Sequence, residues 1–181
     1  MISVENVQPY FYVNWNEYAV VVLRNWQKQI INDFPAIVKQ HRRFILKAPT
    51  GAGKTILASE IVEQFYKGKK ILVLCHRLVL LEQLQKALSV RHSVHKLSVS
   101  EDGKAFDGYD ILLSTNMRAK DVLEEAIKMA DLIIVDEAHR VSTNGTGYKK
   151  IIDDFENEGK IGAQFMGLTA CLLYTSPSPR E

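Results

Sequence analysis

Residues 43–66 hold a short apolar run, a glycine-bearing loop and an apolar-striped helix with no gap between them. Arg43-Phe-Ile-Leu-Lys-Ala48 predicts a strand. Pro49-Thr50-Gly51-Ala52-Gly53 must then turn sharply. From Lys54 to Tyr66, Leu57, Ile61 and Phe65 fall on one apolar face, which predicts a helix that stops at Gly68. A strand feeding a helix through a tight loop needs parallel partner strands to cover its sheet edge.

The rest of the chain supplies them. Lys70-Ile-Leu-Val-Leu-Cys75 is an unbroken apolar run, as expected of a strand covered on both faces. Residues 77–88 predict a helix, 94–99 a strand, 110–114 a strand, 120–129 a helix and 132–135 a strand. Residues 148–155 predict a helix and 163–168 a last strand. Upstream, Val22, Trp26, Ile30, Phe34 and Val38 recur at helical spacing over residues 17–40, with Pro35 expected to break the helix. The implied fold class is α/β: a mostly parallel sheet flanked by helices on both faces. Ligands of such sheets sit outside the carboxyl ends of the strands.

Two motifs fall there. In Ala48-Pro49-Thr50-Gly51-Ala52-Gly53-Lys54-Thr55, backbone N–H groups and the positive end of the next helix suit phosphate oxygens. Gly51 and Gly53 permit the close approach, Lys54 can neutralise terminal phosphates, and the Thr55 hydroxyl can reach Mg²⁺. The usual pattern opens with Gly where this chain has Ala48. After the strand at 132–135 come Asp136 and Glu137. Asp136 can hold Mg²⁺ through water, and Glu137 can orient and deprotonate an attacking water. The pair implies nucleoside triphosphate hydrolysis, with ATP and Mg²⁺ bound at residues 49–55.

Composition narrows the setting. Among 181 residues, 23 are basic and 21 acidic, a net charge of +2, too mild to argue nucleic-acid binding from bulk charge. Two cysteines, Cys75 and Cys171, give no disulfide framework and no metal spacing. Cys75 reads as a buried strand residue. No apolar run approaches bilayer length, so a soluble, cytoplasmic protein without membrane contact is expected.

With these residues in view, the chain over about 20–170 resembles the first RecA-like lobe of a superfamily 2 helicase of the DEAD/DEAH-like kind. It is most similar to the branch of type III restriction subunits and excision-repair-type helicases. Leu23-Arg-Asn-Trp-Gln-Lys-Gln29 resembles the upstream glutamine motif, in which Gln27 would read the adenine edge with Arg24 nearby; otherwise Gln27 is a plain helix residue. Leu74-Cys-His-Arg77 resembles motif Ia and Leu113-Ser114-Thr115-Asn116 the next strand-end motif. The resemblance implies that Arg77, Ser114 and Thr115 hold a nucleic-acid backbone; helix capping is the other role open to them. Gly167-Leu168-Thr169-Ala170 resembles the start of motif III. His139 and Thr169 would couple hydrolysis to strand movement. The glutamine motif favours DNA over RNA as partner.

The resemblance also implies a second RecA-like lobe that completes the ATP cleft, and none fits in this chain. The chain alone is then expected to turn over ATP very slowly. A type III-like restriction motor and a binding module without turnover are the alternatives. Residues 1–20 are expected to form an N-terminal arm, with 1–15 a short strand or packing arm, and His41-Arg42-Arg43 a solvated strand start rather than a nucleic-acid site. Residues 171–181, Cys-Leu-Leu-Tyr-Thr-Ser-Pro-Ser-Pro-Arg-Glu, resemble a translated sequencing adapter, so native sequence is expected to stop near Ala170.

Overall fold

In the computed structural model, the described residues are 2–3, 22–75, 82, 85–86, 88, 94–96, 106, 108–115, 120–138 and 147–170. Within them lie β1 (Ile2–Ser3), α1 (Asn25–Gln40), β2 (Arg43–Lys47), α2 (Lys54–Phe65), β3 (Ile71–Cys75) and β4 (Val94–Lys96). They continue with β5 (Ile111–Thr115), α3 (Lys120–Met129), β6 (Leu132–Val135), α4 (Gly147–Glu158) and β7 (Gln164–Thr169). The strands form one sheet in the order β1-β2-β7-β6-β3-β5-β4, and every pairing is parallel.

Strand alternation sorts side chains to the two faces. Phe44, Leu46, Ile71, Val73, Ile111, Leu113, Leu132, Ile134, Met166 and Leu168 face a core built with α1 and α2. Leu72, Leu74, Leu112, Ile133, Val135 and Phe165 face a second core built with α3 and α4. Each fully buried Leu, Ile or Phe here contributes about 1.5–3 kcal/mol of burial, so two covered faces stabilise the unbroken apolar strands that the sequence shows. Phe34 of α1 sits at the centre of the first core, edge-on to Phe44 and Tyr66 and tilted against Phe65.

Two expectations need correction. Pro35 lies inside α1 and does not end it. Ile31 and Phe34 before it are anchored in the core, Ile37 and Val38 after it pack against the same core, and Pro35 itself is exposed. Tertiary packing of the apolar stripe therefore outweighs the local cost of proline, about 3 kcal/mol. Arg42 is not a solvated strand start. Its guanidinium lies 4.3 Å from the centre of the Phe155 ring and donates to the carbonyls of Phe155 and Gly159, closing the C-terminal end of α4. In the expected arm, Ile2 and Ser3 pair with Leu46 and Lys47 as an edge strand, in keeping with the short strand expected there. The other residues of the arm from Val4 to Val20, most of the helix predicted over 77–88, and residues 171–181 lie outside the described residues. Among the described residues no helix is long and apolar enough to cross a membrane.

Candidate nucleotide site

The glycine loop leaves β2 at its carboxyl end and enters α2 directly. Ala48 continues the sheet pairing through its N–H to the Thr169 carbonyl, 3.1 Å. The chain then turns: Ala52 N–H donates to the Pro49 carbonyl at 3.1 Å. Gly51 has φ +73° and Gly53 φ +92°, left-handed values that side chains rarely adopt. Successive backbone N–H groups around such left-handed turns form a concave anion nest at the start of α2. A Cβ at Gly51 would meet nothing within 4 Å, so the nest opens outward there. Pro49, Thr50 and Gly51 are exposed, Ala52 is buried, and Lys54 and Thr55 are half-buried on the first turn of α2.

Lys54 reaches back over this loop. Its Nζ donates to the carbonyls of Ala48 at 2.9 Å and Pro49 at 3.1 Å. Burial pulls the ammonium below its ordinary pKa, and the charges of Asp136 and Glu137 oppose that pull. The amine thus lies within the field of the acidic pair, although about 80 residues separate them in sequence.

Asp136 and Glu137 stand in the turn after β6. Asp136 N–H donates to the Leu74 carbonyl at 2.9 Å, and Ala138 N–H to the Leu168 carbonyl at 2.8 Å. Both ends of the turn are therefore tied to flanking strands, β3 and β7. Between them, Glu137 N–H donates to Asp136 Oδ1 at 3.0 Å, and Glu137 has φ +55°. Cys75, at the end of β3, is fully buried, and burial followed by the Asp136 charge pushes its thiol well above the ordinary range. It is an inert wall of the site.

Gln27 joins the site from α1. It is 2% exposed, and its two amide ends are directed: Oε1 accepts from the Arg24 N–H at 2.8 Å and Nε2 donates to the Gly53 carbonyl at 3.0 Å. A Gln side chain has capacity for two further hydrogen bonds beyond these. Arg24 is the N-cap of α1. The helix thereby holds the glycine loop by a side chain 26 positions upstream. That contact was not visible in helical spacing alone.

The remaining predicted residues are less concentrated. Ser114 is fully buried in β5 and Thr169 is 2% exposed at the end of β7. Thr115 ends β5 in register with Cys75. Arg77 and His139 lie outside the described residues. The sequence reading missed the contact of Gly167 with the acidic turn: a Cβ at Gly167 would lie 2.8 Å from the Ala138 Cβ. A glycine in a strand interior was its available signal, since it marks close approach of another backbone.

A parallel sheet with this loop and this acidic turn at its carboxyl edge defines a RecA-like ATP-binding lobe of the superfamily 2 helicase type. The chain belongs to the type III restriction enzyme, res subunit family, whose model matches residues 20–172. Over 152 residues it is 30% identical to a type I restriction enzyme EcoAI endonuclease subunit of Escherichia coli, covering 77% of this chain and 18% of that protein. The chain spans under a third of the length of the curated relatives it matches, at most 27%. Its fold is shared with the Sulfolobus solfataricus SWI2/SNF2 ATPase core solved in complex with double-stranded DNA. That similarity has a TM-score of 0.65 at 20% identity, over 84% of this chain and 32% of the other. It is shared also with the UvsW helicase of bacteriophage T4, at a TM-score of 0.61 and 21% identity, over 82% and 52% of the two chains.

Proposed function

We propose that this lobe binds ATP with Mg²⁺ at residues 49–55 and forms the hydrolytic half of a DNA-dependent translocase. The observation that carries the reading is the placement of Lys54: one amine touches the glycine-loop carbonyls and lies in the field of Asp136 and Glu137. A phosphate in the nest would take over the hydrogen bonds that Lys54 now gives to its own backbone, which favours binding of the charged amine to an anion. Thr55 and Asp136 are the residues that would hold Mg²⁺. Among the described residues no cluster of three or more His, Cys, Asp or Glu could hold a metal alone. Mg²⁺ suits such a site, because it is held by one or two protein oxygens together with substrate phosphates, whose charge it neutralises. Glu137, fixed by its own N–H bond and the tethers on either side, orients and deprotonates water. Gln27 and Arg24 read the adenine edge with the hydrogen-bonding capacity that the loop contacts leave.

The family match favours motor action of the restriction type, in which the lobe drives movement along a DNA backbone near Arg77, Ser114 and Thr115, with His139 and Thr169 coupling the two events. Recognition there is of phosphate, hence independent of sequence and weakened by salt. A second reading, unwinding in place of translocation, fits the helicase among the solved relatives. Hydrolysis of labelled ATP under single-turnover conditions tests the chemistry. Glu137→Gln should abolish the slow hydrolysis of the wild-type chain and leave nucleotide affinity within about threefold. Equal hydrolysis rates in the two would remove Glu137 from the reaction.

A further inference from the structure

The acidic turn is held in an unfavourable backbone shape by a strand that bears no side chain where they meet. Glu137, with φ +55°, is one of two non-glycine residues with positive φ among those described. A left-handed residue other than glycine is disfavoured by its Cβ and persists only where its surroundings over-determine it. Here they do. Asp136 is tied to β3 and Ala138 to β7, and Ala138 is 5% exposed. On β7, Phe165 and Gly167 face the α3–α4 side of the sheet, and Ala138 sits in that same core. In register, Gly167 lies beside Val135, the last residue of β6 before the turn, and beside Ile45 of β2.

A Cβ at 167 would stand 2.8 Å from the Ala138 Cβ and 3.3 Å from Ile45 Cγ1. Two carbons do not sustain the first distance, so the turn would have to lift from β7. Lifting it stretches the Ala138 to Leu168 hydrogen bond and releases Glu137 from its left-handed shape. We infer that Gly167 is a positioning residue for hydrolysis, acting through Ala138 to fix the direction of the Glu137 carboxylate. The inference rests on the reading of Glu137 as the water-orienting base. The glycine loop starts beyond Ile45, at Ala48, whose N–H is tied to Thr169 and not to Gly167, so nucleotide affinity is expected to change less than hydrolysis.

The test uses this chain with Gly167→Ala, Ala138→Gly and the double variant. Fluorescent-nucleotide titration with Mg²⁺ is run beside single-turnover hydrolysis and a thermal melt. Binding by the wild-type chain comes first: no binding there would sink the proposed function and leave this inference without its premise. Given binding, Gly167→Ala should slow hydrolysis at least tenfold and keep nucleotide affinity within threefold. The double variant, which removes the opposing methyl, should recover most of the lost rate. Hydrolysis by Gly167→Ala within twofold of wild type overturns the inference. A slowed single variant that the second substitution does not rescue overturns it too. So does a parallel loss of affinity and melting temperature, which marks Gly167 as a fold residue only.

Discussion

At the scale of single residues, the site combines groups that sequence marks plainly with groups that only packing reveals. Lys54, Asp136 and Glu137 were legible because each stands at a fixed offset from a strand end. The role of Gln27 was half legible. Its place in a glutamine motif was readable, but its bond to the Gly53 carbonyl depends on how α1 lies over α2, which no local pattern encodes. Gly167 and Ala138 were readable only as letters of two motifs, because their contact joins strands far apart in the chain. Cys75 offers a test at this scale. Its burial and the Asp136 charge hold the thiol protonated. In a Cys171→Ser background, native protein should resist a thiol reagent at about pH 8, and unfolded protein should react at once. Rapid labelling of the native state would show that the wall beside Asp136 opens.

At the scale of elements, strands and helices were mostly readable because burial on both faces leaves no ambiguity of period. The helix over Lys120–Met129 and the strand over Leu132–Val135 have the bounds that their residues predict. The ends of elements were less readable, since they answer to tertiary contacts. Pro35 stays inside α1 because Ile31 and Phe34 anchor the turn before it and Ile37 and Val38 pack against the core after it. Arg42 serves α4, a helix more than a hundred positions away. Arg42→Ala should cost about 1–2 kcal/mol, since it removes two hydrogen bonds and a cation–π contact; a chemical denaturation midpoint reads this. Asp131 does similar work before β6. Burial works to raise its carboxyl pKa, but the hydrogen bonds from the Lys160 amine and the Lys70 N–H, with the charges of Lys160 and Lys69, hold it below the ordinary value. A depressed folded-state pKa means that the unfolded chain binds more protons in this window. The contribution is therefore complete above about pH 4–5 and is lost as pH falls through the folded value. Asp131→Asn should flatten that part of the stability–pH profile, and an unchanged acid limb would show that the contacts are neutral.

At the scale of the whole molecule, the described residues make one sheet that carries the glycine loop and the acidic turn at the carboxyl ends of its strands. The glycine loop and the acidic turn belong to β2 and β6, which β7 separates, so β7 is the mechanical link between them. The resemblance implies a second lobe that completes the ATP cleft, and an arginine finger supplied from outside a lobe is worth about 10³–10⁵ in rate. The chain alone should therefore hydrolyse ATP at least about a thousandfold more slowly than a two-lobed enzyme of the family. Turnover within about tenfold of such an enzyme would leave no room for a missing arginine. If Lys54 and the glycine loop form the nucleotide site, binding must depend on the Lys54 amine. Calorimetric titration of the chain with ATP and Mg²⁺ tests it most directly. One site per chain is expected, lost or weakened at least tenfold in Lys54→Ala with the melting temperature little changed. Equal binding by wild type and Lys54→Ala would contradict it.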